Sequence, residues 1–176
     1  EWGIILGATE GVGKAFCERL AKEGMNVVMV GRREEKLKEL GEELKNTYEI
    51  DYKVVKADFS LPDATDKIFA ATENLDMGFM AYVACLHSFG KIQDTPWEKH
   101  EAMINVNVVT FMKCFYHYMK IFAAQDRGAV INVSSMTGIS SSPWNGQYGA
   151  GKAFILKMTE AVACETEKTN VDVEVI

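Results

Sequence analysis

Ile4-Ile5-Leu6-Gly7-Ala8-Thr9-Glu10-Gly11-Val12-Gly13-Lys14-Ala15-Phe16 is the stretch that decides how this chain is read. Three apolar residues, Ile4 to Leu6, read as a short buried strand, and a glycine-punctuated turn follows at once. Beyond the turn, Val12, Phe16 and Leu20 fall four apart and mark a helical stripe. Strand, glycine turn and helix is the setting in which a glycine motif carries chemistry. Gly7 permits a sharp reversal, and Gly11 lets the backbone approach a phosphate with no Cβ in the way. Gly13 lets the helix lie close on the sheet. The free N–H groups and positive dipole end of that helix suit a pyrophosphate. The spacing is Gly-x-x-x-Gly-x-Gly rather than the commoner Gly-x-Gly-x-x-Gly. Loops that bind nothing also carry three such glycines, so the motif needs support from elsewhere.

Working outward, the chain alternates strand and helix. Residues 25–30, 53–57, 78–84, 129–134 and 171–176 read as further strands. Gly24 suits a left-handed cap at the end of the first helix. Helices are expected over 34–47, with Leu37, Leu40 and Leu44 on one stripe, around Ile68 and Phe69, and over 146–169. Thr95-Pro96-Trp97-Glu98 has the pattern of a capping box with Pro at the first helical position, opening a long helix to about residue 124. The strands are apolar on both faces. That predicts the α/β class: a doubly wound, Rossmann-type parallel sheet with helices on both faces. No repeat or linker divides residues 1–176, so one dinucleotide-binding domain is expected. The chain starts without Met and stops inside a strand pattern, which reads as truncation at both ends of a longer protein.

A formal net charge of -6 argues against nucleic acid and anionic membrane surfaces as partners. No stretch resembles a signal peptide or membrane span. Cys17, Cys85, Cys114 and Cys164 form no C-x-x-C pair and read as reduced cytoplasmic thiols. His87, His100 and His117 lack metal-ligand spacing, so no metal is expected.

A second cofactor signal follows the second strand. An acid there would bind the ribose 2′-hydroxyl of NAD, but this chain has Arg32 and Arg33. Two guanidinium groups suit a 2′-phosphate instead, and so NADP(H). Cations at a helix N-terminus oppose its dipole, and a phosphate would account for them.

Tyr148 and Lys152 stand four apart at a helix start and share a face. A free Tyr titrates near ~10. A neighbouring ammonium favours the phenolate, which can exchange a proton with an alcohol or carbonyl. Tyr52–Lys56 and Tyr116–Lys120 have the same spacing, so spacing alone selects nothing. Ser135, upstream at the carboxyl end of the fifth strand, selects Tyr148; at the same offset from the other two tyrosines stand Glu39 and Met103. Ser135 can donate to an oxygen that gains charge in the transition state. Phe89, Met136 and Trp144 are expected near this site, and either core packing or contact with an apolar substrate would explain them.

Gly7-x-x-x-Gly11-x-Gly13, Asp58, Asn107, Ser135 and Tyr148-x-x-x-Lys152 occur in the order and spacing of the short-chain dehydrogenase/reductase family, which the chain resembles over nearly its whole length. The resemblance implies Tyr148 as acid/base, Ser135 as carbonyl orienter, and Lys152 lowering the Tyr pKa and binding the nicotinamide ribose. It implies Asn107 in a water relay. It further implies NADP(H) contacts from Thr9, Glu10, Val12, Asp58, Phe59 and Cys85, besides the glycines, Arg32, Arg33, Tyr148 and Lys152. Tyr82-Val83-Ala84-Cys85 departs from the family's Asn-Asn-Ala-Gly, and Leu6 stands where a Thr commonly precedes the first glycine. Stretches 84–90 and 140–146 are similar to bacterial members acting on bile acids, which implies interconversion of a steroid 7β-hydroxyl and 7-ketone. The alternatives are a 3-oxoacyl thioester reductase and a non-catalytic NADP(H)-binding relative. The apolar residues of 104–122 exceed one stripe, so that helix and the one after Tyr148 are expected to pack in a homodimer or homotetramer.

Overall fold

Each apolar run expected as a strand forms one in the computed structural model, which describes residues 1–140 and 142–176. Ser141, part of the 140–146 stretch noted above, lies outside the described residues. The strands are β1 (Trp2–Leu6), β2 (Asn26–Gly31), β3 (Tyr52–Lys56), β4 (Met77–Tyr82), β5 (Gly128–Asn132) and β6 (Val171–Val175). All pair in parallel, in the order β3-β2-β1-β4-β5-β6. The helices are α1 (Gly11–Lys22), α2 (Glu34–Tyr48), α3 (Ala64–Thr72), α4 (Trp97–Ile104), α5 (Phe111–Gln125) and α6 (Gly146–Thr166).

Alternation along the strands sends side chains to two separate cores. Ile5, Val27, Met29 and Ala81 pack with Cys17, Leu20, Leu37, Leu40 and Leu44 of α1 and α2. Ile4, Leu6, Val28, Val30 and Met80 pack on the other face with Ile68, Phe111, Phe115, Tyr118 and Phe122. The result is the expected doubly wound sheet, and its register aligns the carboxyl ends. Leu6 is level with Val30 and Tyr82, and Tyr82 with Asn132. The loops leaving β1, β2, β4 and β5 therefore emerge along one edge, where the strand order reverses and ligands bind in this fold.

Several local expectations change. The region after Pro96 is not one helix: Asn105–Thr110 forms a π-helical turn between α4 and α5. The capping box does not form. Pro96 itself is the N-cap of α4, without a side-chain cap, and Thr95 Oγ1 donates to the Lys91 carbonyl instead (3.2 Å). Val12 is half exposed rather than on the buried stripe; the buried face of α1 is Gly13, Cys17, Leu20 and Ala21. Gly24, at φ 80°, takes the left-handed conformation expected after α1.

The apolar excess of 104–122 is largely absorbed within the chain. Phe111, Phe115, Tyr118 and Phe122 are fully buried, at about 1.5–3 kcal/mol per such side chain. The Tyr118 hydroxyl is satisfied by Thr72 Oγ1 at 2.9 Å. Val109 and Tyr116 remain on the surface.

The π turn ties the edge loops together. Asn105 Nδ2 donates to the Ser60 carbonyl (3.1 Å), Thr110 Oγ1 to the Phe59 carbonyl (2.8 Å), and Tyr82 Oη to the Val106 carbonyl (2.6 Å). Helix α6 closes against it at Gly151, where a built Cβ would lie 2.8 Å from the Asn107 Cβ. At Gly149 a Cβ would lie 2.7 Å from the Thr137 carbonyl oxygen, whereas one at Gly146 would meet nothing within 4 Å. Gly151→Ala is therefore expected to lower unfolding stability by about 1–3 kcal/mol through overpacking. Gly146→Ala should be neutral or stabilising. Urea unfolding of both variants is the check, and equal midpoints would contradict the close-approach argument.

Candidate active site

The site begins at the turn after β1. Gly7 N–H and Ala8 N–H both donate to the Val30 carbonyl, while Val83 and Ala84 N–H donate to Leu6. Gly7 has φ 102°, and a Cβ there would lie 2.6 Å from Ala84 N, so only glycine fits. A Cβ on Gly13 would lie 2.0 Å from the Gly7 carbonyl oxygen; its close neighbour is the turn rather than the sheet surface. Gly11 has φ 55° and open space where a Cβ would stand. Helix α1 has no side-chain cap, so its first N–H groups are free for a ligand. Thr9 Oγ1 lies close to Gly31, where a Cβ would approach it to 2.8 Å.

A cavity of about 380 Å³ runs along this edge. At one end are Arg32, Arg33, Asp58, Phe59 and Ser60; Gly7, Thr9, Glu10 and Val12 lie along it; Cys85, Tyr148 and Lys152 close the other end. The residues fit a dinucleotide bearing an extra phosphate: a cationic pair, an uncapped helix N-terminus and a Tyr–Lys pair in succession. Asp58 accepts from Ser60 N–H (3.0 Å) and Ser60 Oγ (2.7 Å). Burial would raise its pKa, but the Ser60 hydrogen bonds and the nearby Arg32 hold it below the usual value. Arg33 is paired with Glu10 at 2.8 Å.

At the other end, Lys152 is 1% exposed and its Nζ donates to the Val133 carbonyl at 2.6 Å. Ser134 Oγ donates to the Lys152 carbonyl (2.8 Å), pinning α6 to the end of β5. Ser135 Oγ accepts from both Thr137 N–H (3.2 Å) and Thr137 Oγ1 (3.0 Å), which leaves its own proton free to donate. Asn107 is buried with both side-chain groups engaged by one residue: Oδ1 accepts from Leu86 N–H (3.0 Å) and Nδ2 donates to the Leu86 carbonyl (2.7 Å).

The lowering of the Tyr148 pKa expected from Lys152 is not found. Burial raises it above the ordinary tyrosine value, Cys85 adds to the rise, and Ser135 pulls the other way. The reason lies in Lys152. Its ammonium is given to the Val133 carbonyl, 5.7 Å from the Tyr148 ring centroid, and burial lowers its own pKa.

The control pairs show what selects the site. Lys120 lies over the Tyr116 ring at 5.5 Å, nearly the same local geometry, but Tyr116 is 59% exposed on α5. Tyr52 and Lys56 lie on β3. Partial burial beside a serine that follows a strand distinguishes Tyr148. Sequence reasoning passed over four neighbours. Thr137 orients Ser135, and its signal was a Ser-x-Thr turn. Gly149 and Gly151 lie between Tyr148 and Lys152 within the motif itself. His87, noted above only for lacking metal-ligand spacing, stacks edge-on to the Tyr148 ring at 5.9 Å and to Phe89 at 5.5 Å.

Comparison with known proteins adds independent findings. A sequence model described as short chain dehydrogenase matches residues 1–176. A 7beta-hydroxysteroid dehydrogenase of Collinsella aerofaciens is 82% identical over 176 residues, covering 100% of this chain and 67% of that protein. A protein of the same name from Clostridium sardiniense is 45% identical over 173 residues, covering 98% of this chain and 66% of its own. A solved structure from work on the stereoselectivity of 7beta-hydroxysteroid dehydrogenase superposes with a TM-score of 0.98 at 82% identity, over 99% of this chain and 68% of that one. The chain thus spans about two thirds of the length of these relatives.

Tyr148→Phe keeps the ring and removes only the proton donor. It is expected to lower turnover about 10²–10⁴-fold while dinucleotide binding persists. Tyr116→Phe should keep full activity. Nicotinamide absorbance measures both, and an active Tyr148→Phe variant would remove Tyr148 from the chemistry.

Proposed function

Because the chain belongs to the short-chain dehydrogenase family, we propose that it interconverts a 7β-hydroxyl and a 7-ketone on bile-acid steroids with NADP(H). The observation that carries the chemistry is that Tyr148 and buried Lys152 line one cavity with the arginine pair, with Ser135 beside Tyr148 just past the carboxyl end of β5. The regiochemistry rests on the two relatives that bear the 7beta name.

NADP(H), when bound, supplies the hydride chemistry. Arg32 and Arg33 would hold its 2′-phosphate, the α1 N-terminus its pyrophosphate, and Lys152 its nicotinamide ribose. In oxidation the Tyr148 oxygen takes the proton of the steroid hydroxyl; in reduction it returns one to the carbonyl oxygen. The Ser135 proton, aimed by Thr137, donates to the same oxygen as charge builds there. Lys152, in a dry setting, stabilises the phenolate once a substrate draws Tyr148 toward ionisation. The side chain of Asn107 is spent on Leu86, so the implied water relay falls to its backbone carbonyl in the widened π turn. Cys85 borders the nicotinamide end.

An apolar substrate suits the rim. Phe89, Met136 and Trp144 are 70%, 77% and 64% exposed, which removes core packing as their explanation. Phe89 presents its surface beside Tyr148 through His87, and Met136 directly follows Ser135. A non-catalytic relative would not need this complete acid/base set. A thioester reductase would need a further basic patch for its carrier phosphate, beyond Arg32 and Arg33. Among the described residues no helix is long and apolar enough to cross a membrane. We place the protein in the cytoplasm, as a homodimer or homotetramer joined through exposed Val109 and Tyr116 on the α5 side and the helix after Tyr148.

The test is a matched pair of bile acids differing only in configuration at carbon 7, each incubated with NADP. Oxidation of the 7β epimer at least about tenfold faster is expected, a transition-state difference of about 1.4 kcal/mol. Equal rates, or activity confined to the 7α epimer, would overturn the substrate reading.

A further inference from the structure

The phosphate end of the cavity contains an anion that the expected ligand does not require. Glu10 is the last residue of the glycine turn, and its carboxylate meets Arg33 Nη2 at 2.8 Å across the mouth of the cavity. Glu10 does not serve its helix: it occupies the N-cap of α1 without making a side-chain cap hydrogen bond. Nor does it serve the fold, because so exposed a pair adds little stability. Lys36, one position beyond Glu35 on α2, also faces this carboxylate. The neighbouring arginine has an acid as well, since Arg32 faces Asp58. Asp58, however, has one carboxylate oxygen taken twice by Ser60, whereas among the described residues the ion pair that Glu10 forms is the one with Arg33.

We propose that Glu10 is a specificity-determining residue that competes with the 2′-phosphate of NADP(H) for the Arg33 guanidinium. The proposal rests on the reading of Arg33 as a 2′-phosphate partner. A guanidinium fork engages one planar or tetrahedral anion at a time in bidentate fashion. A phosphate arriving at Arg33 displaces the carboxylate or sits beside it, within the ~10 Å over which like charges repel at ordinary salt. Either way NADP(H) binds less tightly than the arginine pair alone would hold it, and dissociates sooner. NAD(H) carries a neutral hydroxyl at that position and escapes the repulsion. The Glu10 carboxylate thus narrows the preference that Arg32 and Arg33 create.

The experiment measures dissociation constants of NADPH and NADH by nicotinamide fluorescence, at low and at moderate salt. The proteins are the unaltered chain, Glu10→Gln, Arg33→Ala and the double variant. Glu10→Gln is expected to tighten NADPH about two- to fivefold, more at low salt, without tightening NADH. In the Arg33→Ala background the same substitution should lose most of that effect. Unchanged or weakened NADPH binding in Glu10→Gln would overturn the competition and make Glu10 a support for Arg33. An unchanged NADPH/NADH ratio in Arg33→Ala would overturn the phosphate reading itself, and the proposal with it. Glu10→Ala provides the same comparison if the Gln variant does not fold.

Discussion

The wide π turn at Asn105–Thr110 is the constraint on which the rest of the site depends. A regular helix through these six residues would leave the loops after β3 and β4 to find separate anchors. The extra residue per turn instead lets Asn105, Val106, Asn107 and Thr110 reach Ser60, Tyr82, Leu86 and Phe59 at once. Three of those partners, Phe59, Ser60 and Leu86, line the cavity. The same turn receives α6 at Gly151, whose bare backbone packs on the buried Asn107 side chain, so the position of Tyr148 relative to the turn is set by a contact that leaves no room for a Cβ. Buried hydrogen bonds of this sort are costly to break, because each leaves an unsatisfied group behind.

The Tyr82-Val83-Ala84-Cys85 departure makes sense within this arrangement. The family's polar pair is absent, and the buried Tyr82 hydroxyl takes over by donating to the Val106 carbonyl. Its high pKa, a consequence of complete burial, keeps that proton in place. One long side chain from the centre of the sheet holds the π turn. Cys85 is left at the rim of the cavity beside Tyr148.

The fold was legible because its signals are local. Unbroken apolar strands such as Val27–Val30, glycines after the first strand and alternating helices leave few architectures open. The chemical residues were legible as types in order, and the structure puts Tyr148 and Lys152 on one cavity with Ser135 beside Tyr148. What the sequence hid was burial and partner choice. Tyr116–Lys120 and Tyr148–Lys152 are alike in spacing and in cation–ring distance, and solvent exposure separates them. The Lys152 ammonium goes to a backbone carbonyl, which no spacing reveals. The π turn was read as continuous helix because Asn105–Thr110 keeps apolar residues at helical intervals. Thr95 looked like a cap, but it bonds back to Lys91 and leaves Pro96 at the helix entrance.

The central claim is that Tyr148 and Ser135 manage a proton at an alcohol oxygen while a hydride leaves the adjoining carbon for a nicotinamide. The most direct measurement uses a 7β-hydroxy bile acid carrying deuterium at carbon 7, incubated with the protein and NADP, followed by mass spectrometry of both products. The account predicts one deuterium in the reduced nicotinamide ring and none in the 7-keto product. Reduced cofactor without deuterium would contradict it, because the hydride would then have come from another position or another molecule.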